Sequence, residues 1–209
     1  MNSLIVPFLP EAGYRDVINS KALAGNPVSL TFEPWPNPGI KPIVHFNIAY
    51  GSEAIFLHVS IEERHFKADY KQHNTPVFKD SCVEFFIGFD EIGYYNFEFN
   101  ACGAILAGYG SGRERELLPV DLIEQMIITT NYNFKSDEMR PHRWQLNMSI
   151  PFKLFVKHTF SGVKGKKAKA NFFKCGDDLP EPHFLCWNNI KSPLPNFHLP
   201  GFFGDLLFA

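Results

Sequence analysis

The chain has 209 residues, 45% of them hydrophobic and 20% charged, with a net charge of −2 and a pI near 6.4. That length suits one globular domain with a large core, and the near-neutral balance excludes the global positive field that would draw nucleic acid or an anionic membrane. No stretch approaches the ~18 uninterrupted apolar residues of a membrane-spanning helix, and 22 Phe, 7 Tyr and 3 Trp favour sheet, because aromatics suit pleated surfaces.

Residues 1–27 read as an irregular lead-in with a short helical segment around 14–23. The start, MNSLIVPFLP, has no positively charged n-region, and Pro7 and Pro10 interrupt its apolar run. No signal peptide is visible, so a cytoplasmic location is the default expectation, and an extracytoplasmic one requires a different native N-terminus. Residues 28–32 alternate weakly as a first strand. The loop WPNPG follows, where Pro36 and Pro38 cannot donate to a ladder. Residues 43–50 and 54–62 form a predicted hairpin, with Ile55, Leu57, Val59 and Ile61 inward and Phe56, His58, Ser60 and Glu62 outward.

The chain is organised around residues 80–110. Val83, Phe85, Ile87 and Phe89 share one strand face, with Asp80, Cys82, Glu84 and Phe86 on the other. The next strand turns Tyr95, Phe97 and Phe99 one way and Tyr94, Asn96, Glu98 and Asn100 the other. If both apolar sets face one core, paired residues must have the same parity. Glu84 then lies opposite Glu98 or Asn100, and two carboxylates and two amides gather on one sheet face.

Beyond it, SGRERELLP carries Arg113 and Arg115, candidate planar forks for ligand oxygens. Residues 117–125 can form a short helix, 126–134 and 143–150 read as strands, and 136–141 as a turn. Lys164 to Lys169 read as a solvated loop, and from 161 onward strand signals are sparse until a final strand at 205–208. With no repeat and no low-complexity linker, residues 1–209 are expected to form a single all-β domain. Many short strands separated by turns point to an antiparallel β-sandwich, immunoglobulin-like or jelly-roll-like, with a few short helices.

The polar strand face is the leading site candidate. Asn and Asp are disfavoured in strands, so a row of them costs local propensity and suggests a use; the competing reading is a merely solvated face. Two carboxylates can perform acid–base chemistry on a glycosidic bond, and the same groups with Asn96 and Asn100 can hydrogen-bond sugar hydroxyls. Trp187 and the Phe197–His198 pair are candidate stacking surfaces. No nucleophile elbow, phosphate loop or zinc-protease motif occurs. Four cysteines (82, 102, 175 and 186) without CxxC spacing argue against a zinc site, and reduced thiols are the default, although Cys82 and Cys102 could approach.

Three stretches, VFKDSCVEFF (77–86), YYNFEFN (94–100) and NFHLPGFFG (196–204), resemble family 9 carbohydrate-binding modules and their stand-alone relatives. The resemblance runs from about 43 to 208 and implies a β-sandwich related to sugar- and haem-binding DOMON domains. It implies non-catalytic glycan or oligosaccharide binding in a polysaccharide-degradation setting, xylan included, beside a glycan-degrading enzyme partner. No cofactor is required, and structural calcium is compatible. The strand motif carries over Asp80, Glu84, Asn96, Glu98 and Asn100, and the tail adds Trp187 and His198. Arg113 joins them from its loop. No pair among Trp35, Trp144 and Trp187 is assignable to the tryptophan sandwich some members use. Two alternatives stand beside this reading: a glycoside hydrolase using Glu84 and Glu98, and a DOMON-like haem domain with His45 and His58 as axial ligands.

Overall fold

In the computed structural model, residues 1–9, 23, 27–39, 41–133, 141–160 and 162–209 are described. Among the described residues thirteen strands run in chain order: β1 (Ser3–Val6), β2 (Val28–Ser29), β3 (Ile43–Tyr50), β4 (Ala54–Glu63), β5 (Cys82–Gly88), β6 (Tyr94–Asn100), β7 (Ile105–Gly110), β8 (Glu116–Leu117), β9 (Ile127–Asn133), β10 (His142–Pro151), β11 (Lys167–Cys175), β12 (Phe184–Cys186) and β13 (Gly204–Phe208). A short α-helix, α1 (Val120–Ile123), sits between β8 and β9. An eight-stranded sheet in the order β1-β13-β11-β5-β6-β7-β8, with β12 beside β11, faces a five-stranded sheet in the order β2-β3-β4-β10-β9. All pairings are antiparallel except β1 with β13.

Alternation decides which residues meet between the sheets. Val83, Phe85, Phe97 and Phe99 pack with Ile55, Leu57, Val59, Ile61, Trp144, Leu146 and Met148 in one buried core. At its centre Phe172 stacks between Phe46, at 3.7 Å between ring centroids, and Phe85, at 4.8 Å. The register pairs Glu84 with Glu98 and Cys82 with Asn100 across a five-residue connection, Phe89 to Gly93, as the parity rule requires.

Three expectations change. The lead-in contains β1, which pairs in parallel with β13 and ties the two chain ends to one sheet edge; the expected helix around 14–23 lies outside the described residues apart from Leu23, and the turn at 136–141 apart from Pro141. The tail supplies β11, the strand between β13 and β5, out of the basic segment read as a loop. Its inward residues begin with Ala168 and Ala170, too small to register as a hydrophobic alternation, and its lysines are placed by strand pairing: Lys169 reaches Asp205 on β13 at 2.7 Å. His45 and His58 sit on the outer face of the smaller sheet, engaged by Ser29 (2.9 Å) and Asn147 (2.7 Å). The aromatic packing of Phe46, Phe85 and Phe172 fills the space between the sheets, so these histidines do not fit a haem held there.

Candidate functional site

The outer face of the larger sheet is not solvated. Cys82, Phe86, Tyr94, Phe173 and Cys175 are buried there under Phe197 and Phe203 from the tail, with Trp35 and Phe184 packed against them. Phe197 stacks on Phe173 at 4.2 Å. The Gly- and Pro-rich tail thus builds a second apolar layer, and between it and the β7–β8 turn a cleft of about 780 Å³ remains. Glu84 and Glu98 lie in this cleft, with Phe78, Leu106, Phe184, Pro195 and Phe197 as apolar walls and Arg113, Arg115, Asp177 and His198 as polar ones. Its volume is that of a small-ligand site.

Local backbone chemistry positions each group. Gly108 and Gly110 on β7 let the 111–117 segment fold back over the strand. A Cβ at Gly108 would stand 2.8 Å from Arg115 Cδ and 2.9 Å from the Glu116 carbonyl, and one at Gly110 would stand 2.8 Å from Arg115 Cβ. Arg115 therefore crosses above two glycines, with its guanidinium carbon 5.9 Å from the Phe86 ring centre. Its Nη2 donates to His198 Nε2 at 2.7 Å, and His198 stacks on Phe86 at 4.9 Å. Burial first, then the charges of Arg115 and Arg113, hold the His198 ring down at about 3, so it is neutral and accepts from the arginine. Arg113 stays at the exposed rim, donating to the Pro195 carbonyl at 3.2 Å.

The floor is acidic. Burial and the facing Glu98 push Glu84 well above the ordinary carboxylate range, and Cys175 donates to its Oε1 at 3.1 Å. Glu98 is pushed up to about 7, mainly by burial, against the opposing pull of Arg115 and of Asn96, whose Nδ2 donates to Oε1 at 2.9 Å. Asp177, exposed at the mouth yet flanked by the wall, rises to about 6 through desolvation and its neighbour Asp178. Two buried polar atoms among the cleft-lining residues have no hydrogen-bond partner: the carboxyl oxygen Glu98 Oε2 and the donor Arg115 Nη1.

The expected site residues separate into two groups. Glu84, Glu98, Arg113 and His198 line the cleft. Asp80 and Asn100 are fully buried behind it as a clasp: Asp80 Oδ2 accepts from Tyr70 N and Asn100 Nδ2, both at 2.9 Å, while Asn100 also donates to Tyr70 O and accepts from Ala104 N. Asn96, equally buried, orients Glu98 and does not line the cleft. Trp187 is corrected outright. It lies between the sheets, edge-on to Phe46 and Phe172, because its backbone pairs with Phe172 and its ring turns inward. Cys82 faces Cys175 on β11 rather than Cys102, which donates to Tyr70 O, and all four cysteines are free thiols. Sequence reasoning missed Phe78, Phe184, Cys175 and Asp177; three of these four come from the tail, Cys175 at the end of β11, Asp177 in the turn after it and Phe184 at the start of β12.

The carbohydrate-binding family 9 model matches residues 17–208. No relative was found among curated proteins. Among solved structures, a putative carbohydrate-binding protein from Bacteroides uniformis ATCC 8492 is 32% identical, covering 100% of this chain and 99% of its own, with a TM-score of 0.88. A family 9 carbohydrate-binding module from Caldicellulosiruptor kristjanssonii in complex with cellotriose shares the fold at 10% identity, with 100% and 94% coverage and a TM-score of 0.65. The glucose complex of such a module from the same organism gives 10%, 100% and 96%, and 0.61. With nearly its whole length matched in sequence, the chain belongs to carbohydrate-binding family 9.

Proposed function

We propose that this carbohydrate-binding domain takes its sugar in the cleft between the tail and the β7–β8 turn. One observation carries the placement: a buried carboxyl oxygen, Glu98 Oε2, and a buried donor, Arg115 Nη1, belong to the lining of one cleft and have no partner in the protein. A sugar hydroxyl donates and accepts at once, so it satisfies a pair of this kind. Phe184 and Phe197 give flat apolar area for the C–H face of a pyranose. Glu84, Arg113 and His198 complete the polar lining, while Asn96 orients Glu98 and Asp80 and Asn100 brace the strands behind it. Hydrogen bonds to charged groups add ~1.5–3 kcal/mol each once water is excluded, and micromolar to millimolar affinity follows from a few of them with one stacked ring.

Binding is favoured over hydrolysis by the family: the two similar modules from Caldicellulosiruptor kristjanssonii are sugar complexes of binding modules, and the matched family is one of carbohydrate binding. Service beside a glycan-degrading enzyme belongs to the same proposal and rests on the family alone. The test is a glycan array followed by calorimetry on the strongest saccharide, with glucose and cellotriose as first probes. Arg115→Ala and Glu98→Ala should each weaken binding about tenfold or more; wild-type affinity in both would place the sugar elsewhere.

A further inference from the structure

At the floor of the cleft, Cys82, Glu84 and Cys175 bring two sulfurs and a carboxylate oxygen within 4.8 Å of one another, all three residues buried. The arrangement follows from strand geometry. Cys82 and Cys175 are direct partners across the β5–β11 pair, and Glu84 stands two residues beyond Cys82, so all three project from one sheet face. We propose that these three side chains hold a thiophilic divalent cation of the zinc class.

Zinc bonds sulfur at ~2.3 Å and carboxylate oxygen at ~2.0–2.2 Å in a tetrahedron, so its ligand atoms stand roughly 3.4–3.8 Å apart. Cys175 Sγ and Glu84 Oε1 are 3.1 Å apart, and the third ligand atom lies within 4.8 Å of the other two. Calcium seeks six to eight oxygens, which two thiols do not supply. Because Glu84 and Cys175 line the cleft, the fourth position opens toward it. Glu98, paired with Glu84 in register and 3% exposed, lines the same cleft.

The plainer account packs two reduced cysteines as small apolar residues. It suits Cys82, set among Phe86 and Phe173. It leaves unexplained why Cys175 turns its sulfur onto the Glu84 carboxyl, 3.1 Å away, at the floor of a cleft. A cation held there accounts for it. On binding, each thiol gives its proton to solvent as the metal–sulfur bond forms, and no electron changes hands.

The test is cobalt(II) titration of the whole protein, reduced with a phosphine and free of sugar. The expected result is one cobalt per chain with a sulfur-to-cobalt charge-transfer band that zinc bleaches. Cys82→Ser and Cys175→Ser should each remove roughly half of that band, and the double variant all of it. Cys102→Ser and Cys186→Ser should keep it, and losing it there would overturn the assignment. So would a wild-type protein with four titratable thiols and no band, a result that does not depend on any variant folding. Because no saccharide enters the measurement, its failure leaves the sugar assignment of the cleft untouched.

Discussion

Glu98 is a carboxylic acid that its surroundings keep largely protonated to near neutral pH, since burial outweighs the help from Arg115 and Asn96 and raises it from 4.5 to about 7. The sign of its effect on stability follows. A group whose folded value stands above its unfolded one stabilises fully below the unfolded value, and that stabilisation is lost as pH rises through the folded one. Glu98→Gln keeps the shape and removes the ionisation. Its melting temperature relative to wild type should therefore climb between about pH 5 and about pH 8; a flat difference would mean that the carboxyl is not protonated in the fold. Gly108 is the second decisive residue, because a Cβ there meets both Arg115 and the Glu116 carbonyl at under 3 Å. Gly108→Ala should displace the guanidinium and weaken sugar binding about as much as Arg115→Ala does, and should lower the melting temperature as well, because the added Cβ also meets the Glu116 carbonyl of the paired strand. Calorimetry beside circular dichroism checks both halves.

At the scale of elements, the β5–β6 pair shows what patterning can and cannot reveal. Parity limited Glu84 to Glu98 or Asn100, and turn geometry chose Glu98. Phe97 is fully buried between the sheets, edge-on to Phe155 at 5.9 Å, so Phe97→Ala should cost ~3–5 kcal/mol in denaturant unfolding. A loss below ~1 kcal/mol would show that the face is misassigned. The polar row was legible as unusual, but its division of labour was not. Asp80 and Asn100 close on the backbone of Tyr70, a contact between segments that no local pattern encodes. Asn100→Ala should thus lower stability by ~1–3 kcal/mol while the folded fraction binds sugar with unchanged affinity; an affinity loss without a stability loss would return Asn100 to the ligand. Trp187 and β11 were hidden for the opposite reason. Alternation built on Ala and interrupted by Lys carries no hydrophobic signal, and an aromatic beside turn residues looks exposed until the strand it pairs with is known.

Across the whole molecule, the two sheets are joined at one end by charge as well as by hydrocarbon. Lys174 of β11 is fully buried, its Nζ 2.8 Å from Glu63 Oε2 at the end of β4, 2.8 Å from His183 Nε2 and 2.7 Å from the Cys175 carbonyl. Glu63 Oε1 accepts from Trp144 Nε1 of β10 at 2.6 Å. His183 is held down at about 2, by burial first and then by Lys174, and so offers the lysine a lone pair. A ring depressed in this way stabilises the fold above its unfolded value near 6.5, and that stabilisation drains away as pH falls toward 2. A buried pair of this kind is weak support for net stability, yet removing one partner strands the other charge, at a cost of ~3–5 kcal/mol. Lys174→Met alone should therefore be severely destabilising. Adding Glu63→Gln keeps an acceptor for Trp144 and deletes the stranded charge, so the double variant should regain a large part of the loss. The double-mutant cycle in urea measures that coupling, expected in the range ~0.5–3 kcal/mol. Strictly additive losses would show that the sheets are held by the aromatic core alone, with the lysine a passenger at its edge.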